Sequence, residues 1–198
     1  MSNSASNNGK VRVKPHVHGQ WACHVYITGE FLDTLLLERL PELTVSLKYI
    51  HPDLCSEKQP HVSLSKTFYA QHWHLERLEK SLSHALRHLS LPVEGLRFDQ
   101  CGLYQNESQT RSFLALDCDH RSNQVIFPLI VAVDEALRAF GFPAFYQHPR
   151  LHVSLWWAPS INEETFKRFQ SLLDCSLPLR ISNLKVLLRM GNKVVQLL

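Results

Sequence analysis

Apolar and polar positions divide the chain into short strands and longer amphipathic helices. Trp21 to Ile27 alternates with a period of two and predicts a first strand. Glu30 to Leu40 carries Phe31, Leu35, Leu36 and Arg39 at helical spacing, and Pro41 closes that helix. Leu43 to Ile50 reads as a further strand, followed by a polar loop over 51–60 with two prolines. His61 to Lys66 alternates again. Gln71 to Ser90 is the clearest helix, because Leu75, Leu78, Leu82, Leu86 and Leu89 recur in steps of three and four as one apolar stripe.

In the second half, Leu91 to Phe98, Gly102 to Tyr104 and Ser112 to Asp117 read as strands. A helix is predicted from Ser122, with Leu129, Ile130, Val133, Leu137 and Phe140 on one side. Pro128 is expected in its first turn or at its true start, and Gly141 ends it. A loop from Phe145 to Arg150 feeds a strand, Leu151 to Trp157. Ser160-Ile161-Asn162-Glu163 is a capping box opening a third helix to Asp174. Leu177 to Leu188 and Lys193 to Leu198 close the chain as strands joined at Gly191-Asn192, a hairpin signal. Strands and helices mix without strict βαβ alternation, so the fold class is α+β. A motif strand beside a long helix in each half suggests two related lobes.

Composition adds limits. At 198 residues with 44% hydrophobic residues, the chain can bury a sizeable core. Residues 1–18 read as a loosely attached polar tail and 19–198 as a single domain. The Ser/Asn-rich start lacks the apolar segment of a secretory signal, and no apolar run approaches the ~18 residues of a membrane span. Five widely spaced cysteines with no CxxC pair read as reduced thiols. The net charge of +3 comes from the tail: without Lys10, Arg12 and Lys14, the remaining 18 basic residues balance 18 acidic ones. A long charge-driven nucleic-acid footprint is therefore absent, although a site for the end of a strand needs only a few local cations.

The chemistry concentrates in one repeated tetrapeptide. His61-Val62-Ser63-Leu64 and His152-Val153-Ser154-Leu155 lie 91 residues apart. In a strand, residues two apart share a face, so His and Ser point one way while Val and Leu point the other. With the apolar faces in a core, the polar faces can line a common cleft holding two imidazoles and two hydroxyls. An imidazole titrates near ~6.5 and serves as acid or base near neutral pH. A pair in opposite protonation states can take a proton from an RNA 2′-hydroxyl and give one to the departing 5′-oxygen, producing a 2′,3′-cyclic phosphate that water can open. Hydroxyls of Ser63 and Ser154 can donate to the non-bridging phosphate oxygens. Arg150, two residues before His152, falls on the same face, within reach of a phosphate. None of this requires a metal or other cofactor.

The paired motifs resemble those of the two-histidine phosphoesterase superfamily. Phe145-Tyr146-Gln147-His148-Pro149 ahead of the second motif, Trp21-Ala22-Cys23-His24-Val25-Tyr26, Ser65 after the first motif, His72-Trp73, Thr110-Arg111-Ser112-Phe113 and Gly191-Asn192-Lys193 resemble the U6 small nuclear RNA 3′-end processing phosphodiesterase family. The likeness runs from about Val11 to the end. It implies a bilobed fold with pseudo-twofold symmetry, antiparallel sheets with flanking helices and a central cleft. It further implies a nuclear, monomeric, metal-free 3′→5′ exoribonuclease acting on the oligouridine-tailed 3′ end of U6 RNA. The same likeness makes His152 the base and His61 the acid, has Ser63 and Ser154 hold the phosphate, and stacks Tyr146 on a terminal base. The sequence departs from the family pattern at His148, where an acid is familiar, and at Glu107, where a glutamine is expected at the base. The remaining alternatives are another two-histidine enzyme (a cyclic phosphodiesterase or a 2′-5′ RNA ligase-like protein), a non-catalytic RNA-binding module and a metallohydrolase.

Overall fold

The computed structural model describes residues 19–32, 34–172 and 179–198. The expected tail at 1–18, Cys175, the third helix's end at Asp174 and the last long strand's start at Leu177 lie outside the described residues. The elements run β1 (Gln20–Phe31), α1 (Thr34–Ile50), β2 (Cys55–Ser56), β3 (Val62–Ser63), β4 (Phe68–Gln71) and, after a short 3₁₀ turn, α2 (Leu75–Leu86). There follow β5 (Leu96–Gln105), β6 (Ser112–Cys118), α3 (His120–Arg138), β7 (His152–Ala158), α4 (Glu163–Leu172), β8 (Leu179–Met190) and β9 (Lys193–Gln196).

Among the described residues the strands form one sheet ordered β4-β1-β3-β7-β6-β5-β8-β9, with β2 also on β7, and β8 pairs with β1 to close the path on itself. Every pairing is antiparallel, which bears out the α+β class. The two halves can be followed around this ring. From the first motif strand the path leads to β1 and then β8, from the second to β6 and then β5, and β3 joins β7 where the halves meet. Helix α2 packs on α3 and α1 on α4. A single apolar cluster runs from Val25 and Ile27 of β1 through Leu78 and Leu82 of α2, Ile130 and Val133 of α3, and Leu188 of β8.

The differences from the sequence-based expectations have physical causes. Residues 43–50 are helical, not a strand, and α1 continues through Pro41. Leu43 and Leu47 suit either period, but Val45 and Tyr49, which a half-buried strand would turn inward with them, are 70% and 92% exposed. Glu30 and Phe31 belong to β1, paired with Ser182 and Ile181 of β8 across a register shift. β4, two pairing partners away from the motif strand, had no separate signal. The first motif strand is only two residues long. The predicted strands at 91–98 and 102–104 are one strand, β5, which starts at Leu96.

α3 begins at His120, so Pro128 sits in its interior. The Asp119 carboxylate accepts the Ser122 N–H at 2.7 Å and caps the helix. An interior proline costs ~3 kcal/mol, which the buried Ile126, Leu129, Ile130, Val133 and Leu137 offset. Gly141, at φ +75°, terminates that stretch as expected. The cap of α4 is Asn162, whose side chain accepts the Thr165 N–H at 2.8 Å, in place of Ser160. The closing hairpin is present, with Met190 opposite Lys193 across Gly191-Asn192. The four described cysteines are free thiols, and no described helix is long and apolar enough to cross a membrane.

Candidate active site

The two tetrapeptides meet directly. β3 and β7 pair antiparallel with Val62 opposite Val153. That register sets His61 across from Ser154 and Ser63 across from His152, all four side chains on one face. On the other face Val62, Leu64, Val153 and Leu155 are at most 5% exposed, and their burial, worth ~1.5–3 kcal/mol per side chain, fixes which face opens to solvent. The four polar residues are half-buried. A bulge at Leu155, between the pairs Ala115–Ser154 and Leu114–Trp156, ends the alternation immediately beyond the motif and turns Leu155 and Trp156 inward together.

The two histidines are held in the same manner. His61 Nδ1 donates to the Gln59 carbonyl at 2.7 Å, and His152 Nδ1 donates to the Arg150 carbonyl at 2.8 Å. A carbonyl can only accept, so each Nδ1 carries its proton and each Nε2 is the nitrogen that exchanges one. The side chains of the same two carbonyl residues also tie into the site. Gln59 Oε1 accepts from Arg189 at 2.5 Å, and the Arg150 guanidinium donates to Asp117 at 2.6 Å.

The surroundings of the two rings differ in charge. His61 packs edge-on against His24 and Tyr26, with centroids 5.3 and 5.1 Å away, and Arg189 lies 5.6 Å over Tyr26. His24 Nε2 and Ser63 Oγ are 3.1 Å apart. Burial, then the charges of His61 and Arg189, push the His24 pKa down to about 3, so it stands neutral beside the motif. In the other half, His152 stacks face-on over Tyr104, with centroids 3.7 Å apart and planes 13° apart. The Tyr104 hydroxyl donates to Asp117 Oδ1 at 2.5 Å, and Asp117 is the β6 residue opposite His152. Burial pushes the His152 pKa below 6.5. The Arg150 carbonyl and the Asp117 carboxylate oppose that shift, while the charges of His61 and Arg150 add to it.

Of the residues singled out from sequence, His61, Ser63, His152 and Ser154 come together. Arg150 lies beside them, its guanidinium two-thirds exposed and paired to Asp117. Tyr146 sits outside this cluster. It is 48% exposed, with the Lys66 ammonium 4.5 Å over its ring and Lys66 bridged to Glu107 at 2.9 Å. Sequence reasoning missed His24, Tyr26, Asp117 and Arg189. The alternation of β1 held the signal for His24 and Tyr26, since both stand opposite the buried Cys23, Val25 and Ile27. For Asp117 and Arg189 only strand pairing brings them near.

A family model named HVSL and described as an uncharacterised conserved protein matches residues 1–197. Among relatives, "U6 snRNA phosphodiesterase 1" of Drosophila melanogaster is 28% identical over 98% of this chain and 75% of its own length. The Homo sapiens protein of that name is 28% identical over 96% of this chain and 74% of its own length. Among solved structures, Kluyveromyces marxianus Usb1 superposes with a TM-score of 0.60 at 17% identity, covering 90% of this chain and 97% of that one. The same protein with uridine monophosphate also gives 0.60, at 16% identity, covering 88% and 97%. At these identities the structural likeness concerns the fold.

Proposed function

From a chain that belongs to the HVSL family and matches U6 snRNA phosphodiesterases over nearly its whole length, we propose a metal-independent 3′→5′ RNA exonuclease that trims the oligouridine 3′ tail of U6 small nuclear RNA. The observation that carries this reading is the pairing of Val62 with Val153, which sets two imidazoles and two hydroxyls around one position. The role is nuclear, in keeping with the RNA that the relatives' names specify. The working unit is a monomer, because both halves of the site come from one chain.

The chemistry follows from the arrangement. The 2′-hydroxyl of the penultimate nucleotide gives its proton to His152 Nε2 and attacks phosphorus. His61 Nε2 gives a proton to the 5′-oxygen of the terminal nucleotide, which departs. A 2′,3′-cyclic phosphate remains, and water opens it when the two imidazoles exchange roles. The charges around the rings favour this assignment. The Asp117 carboxylate, opposite His152, favours the imidazolium that forms when the base takes its proton. Arg189, behind the Gln59 and Tyr26 that hold His61, favours release of a proton there. Ser63 and Ser154 hold the non-bridging oxygens with Arg150 as a nearby cation, and Tyr146 receives the terminal base.

The test is incubation with 5′-labelled oligouridine-tailed RNA in excess chelator. Stepwise shortening from the 3′ end supports the reading, and an intact substrate rejects it. The pH profile follows from the shift of His152. A base must be neutral to work, so activity falls as pH drops through its pKa, and burial sets that acid limb below pH 6.5. Asp117, Arg150 and His61 are the charged groups that face the ring. Asp117→Asn removes the charge that raises the His152 pKa, so the limb moves to still lower pH. A limb above 6.5 in the parent, or one moving upward in Asp117→Asn, contradicts His152 as base.

A further inference from the structure

We infer that Tyr104, seated on Gly102 and anchored by Asp117, is a positioning residue that holds His152 in its proton-accepting orientation. The inference rests on the proposed role of His152 as base.

The seat is built by strand register. Tyr104 of β5 pairs with Phe113 of β6, Gly102 with Ala115, and Gln100 with Asp117. To reach Asp117 the phenol must therefore lie back along β5 across the Gly102–Ala115 level, where neither residue has a side chain larger than a methyl group. A Cβ added at Gly102 would stand 2.5 Å from Tyr104 Cε2 and 2.6 Å from Asp117 Oδ1. The position thus requires glycine for the ring's sake, since its backbone is not among those with positive φ. Lying flat, the ring presents a face to the His152 imidazole at 3.7 Å and 13°. Its hydroxyl is fixed on Asp117, which the Arg150 guanidinium also grips, and the Arg150 guanidinium itself lies 5.2 Å over the phenol.

The consequence falls on the His152 side chain. Its Nδ1–H is bound to the Arg150 carbonyl, and its face rests on an aromatic plane, so ring rotation is opposed from both directions. Nε2 is left at one place on the cleft face, where the 2′-hydroxyl must come. The electron-rich phenol face also favours the imidazolium produced by proton uptake. In the first half, Tyr26 meets His61 edge-on, at 61°. Burial and the Asp117 carboxylate raise the Tyr104 pKa, which keeps the phenol a donor.

The test compares Gly102→Ala, Tyr104→Leu and Tyr104→Phe, by steady-state cleavage of oligouridine-tailed RNA and by NMR of the His152 ring protons. Misplacing a reacting group by about 1 Å costs about 10²-fold. Gly102→Ala and Tyr104→Leu are therefore expected to lower kcat about 10²-fold with KM within about twofold of the parent. Tyr104→Phe keeps the ring on its seat and recovers kcat to within about tenfold. The stacked phenol shifts the His152 ring protons upfield in the parent and in Tyr104→Phe, and they move downfield in the other two. Should Gly102→Ala not fold, the Leu and Phe pair carries the comparison. Unchanged kcat in Tyr104→Leu, a loss confined to KM, or ring-proton shifts indifferent to Tyr104 would overturn the inference. A parent enzyme that leaves RNA uncut rejects the functional reading, and the ring shifts then still decide whether Tyr104 seats His152.

Discussion

Alanine at His152 lowers kcat on oligouridine-tailed RNA by about 10²–10⁴-fold, and alanine at His61 does the same, because each removes one proton transfer from the transition state. Neither change empties the core. Both side chains lie on the solvent face of the β3–β7 pair, and Val62, Leu64, Val153 and Leu155 anchor the strands from behind. Melting temperature and RNA affinity therefore stay close to the parent's while turnover is lost. The double variant falls by less than the product of the single losses, because acid and base serve one concerted displacement and the first loss makes the second less costly. The two singles separate on a substrate with a 4-nitrophenolate leaving group, which departs without a proton. There His61→Ala recovers most of its rate and His152→Ala does not. Equal loss of binding and turnover in either single variant would assign these residues to structure.

Trp156→Ala gives the largest expected loss of stability. Trp156 is 2% exposed and follows the bulge at Leu155. It faces Leu114 of β6 and Ser56 of β2, and its Nε1–H donates to Thr44 Oγ1 of α1 at 3.0 Å. One side chain thus links α1 to the second motif strand. Truncating a buried tryptophan costs ~3–5 kcal/mol, against a total stability of ~5–15 kcal/mol. At ~2–4 °C per kcal/mol for a chain of this size, the melting temperature should drop by roughly 10 °C. Trp156→Phe restores much of the packing but not the bond to Thr44, so it falls between. A drop of under about 2 °C in the alanine variant would mean that this contact does not hold α1 to the sheet.

The four residues that the β3–β7 pairing brings together were legible in the sequence because their pattern is local. A His-x-Ser triplet in a strand fixes its own face, and the repetition in a second strand supplied the partner. The strands and helices with one clean period, such as α2 and β7, were legible for the same reason. Residues 43–50 were not, since Leu43 and Leu47 satisfy both periods and only the exposure of Val45 and Tyr49 distinguishes them. Asp117, Arg189 and the seat of Tyr104 were invisible because each depends on which strand lies alongside. The unfamiliar Glu107 has a plain structural account: Lys66, two residues beyond the first motif's Leu64, takes its carboxylate and covers Tyr146. That contact sets a charged pair beside Tyr146, the residue proposed to receive the terminal base.

In the proposed reaction His61 and His152 act on one phosphorus through the neighbouring 2′-hydroxyl. The most direct measurement is cleavage of a 5′-labelled oligouridine-tailed RNA whose penultimate sugar carries a 2′-O-methyl group, beside the unmodified strand. The unmodified RNA is expected to lose its terminal nucleotide to leave a 2′,3′-cyclic phosphate or its opened form, while the methylated RNA binds and stays intact. Removal of the terminal nucleotide from the methylated RNA at the parent rate would contradict it.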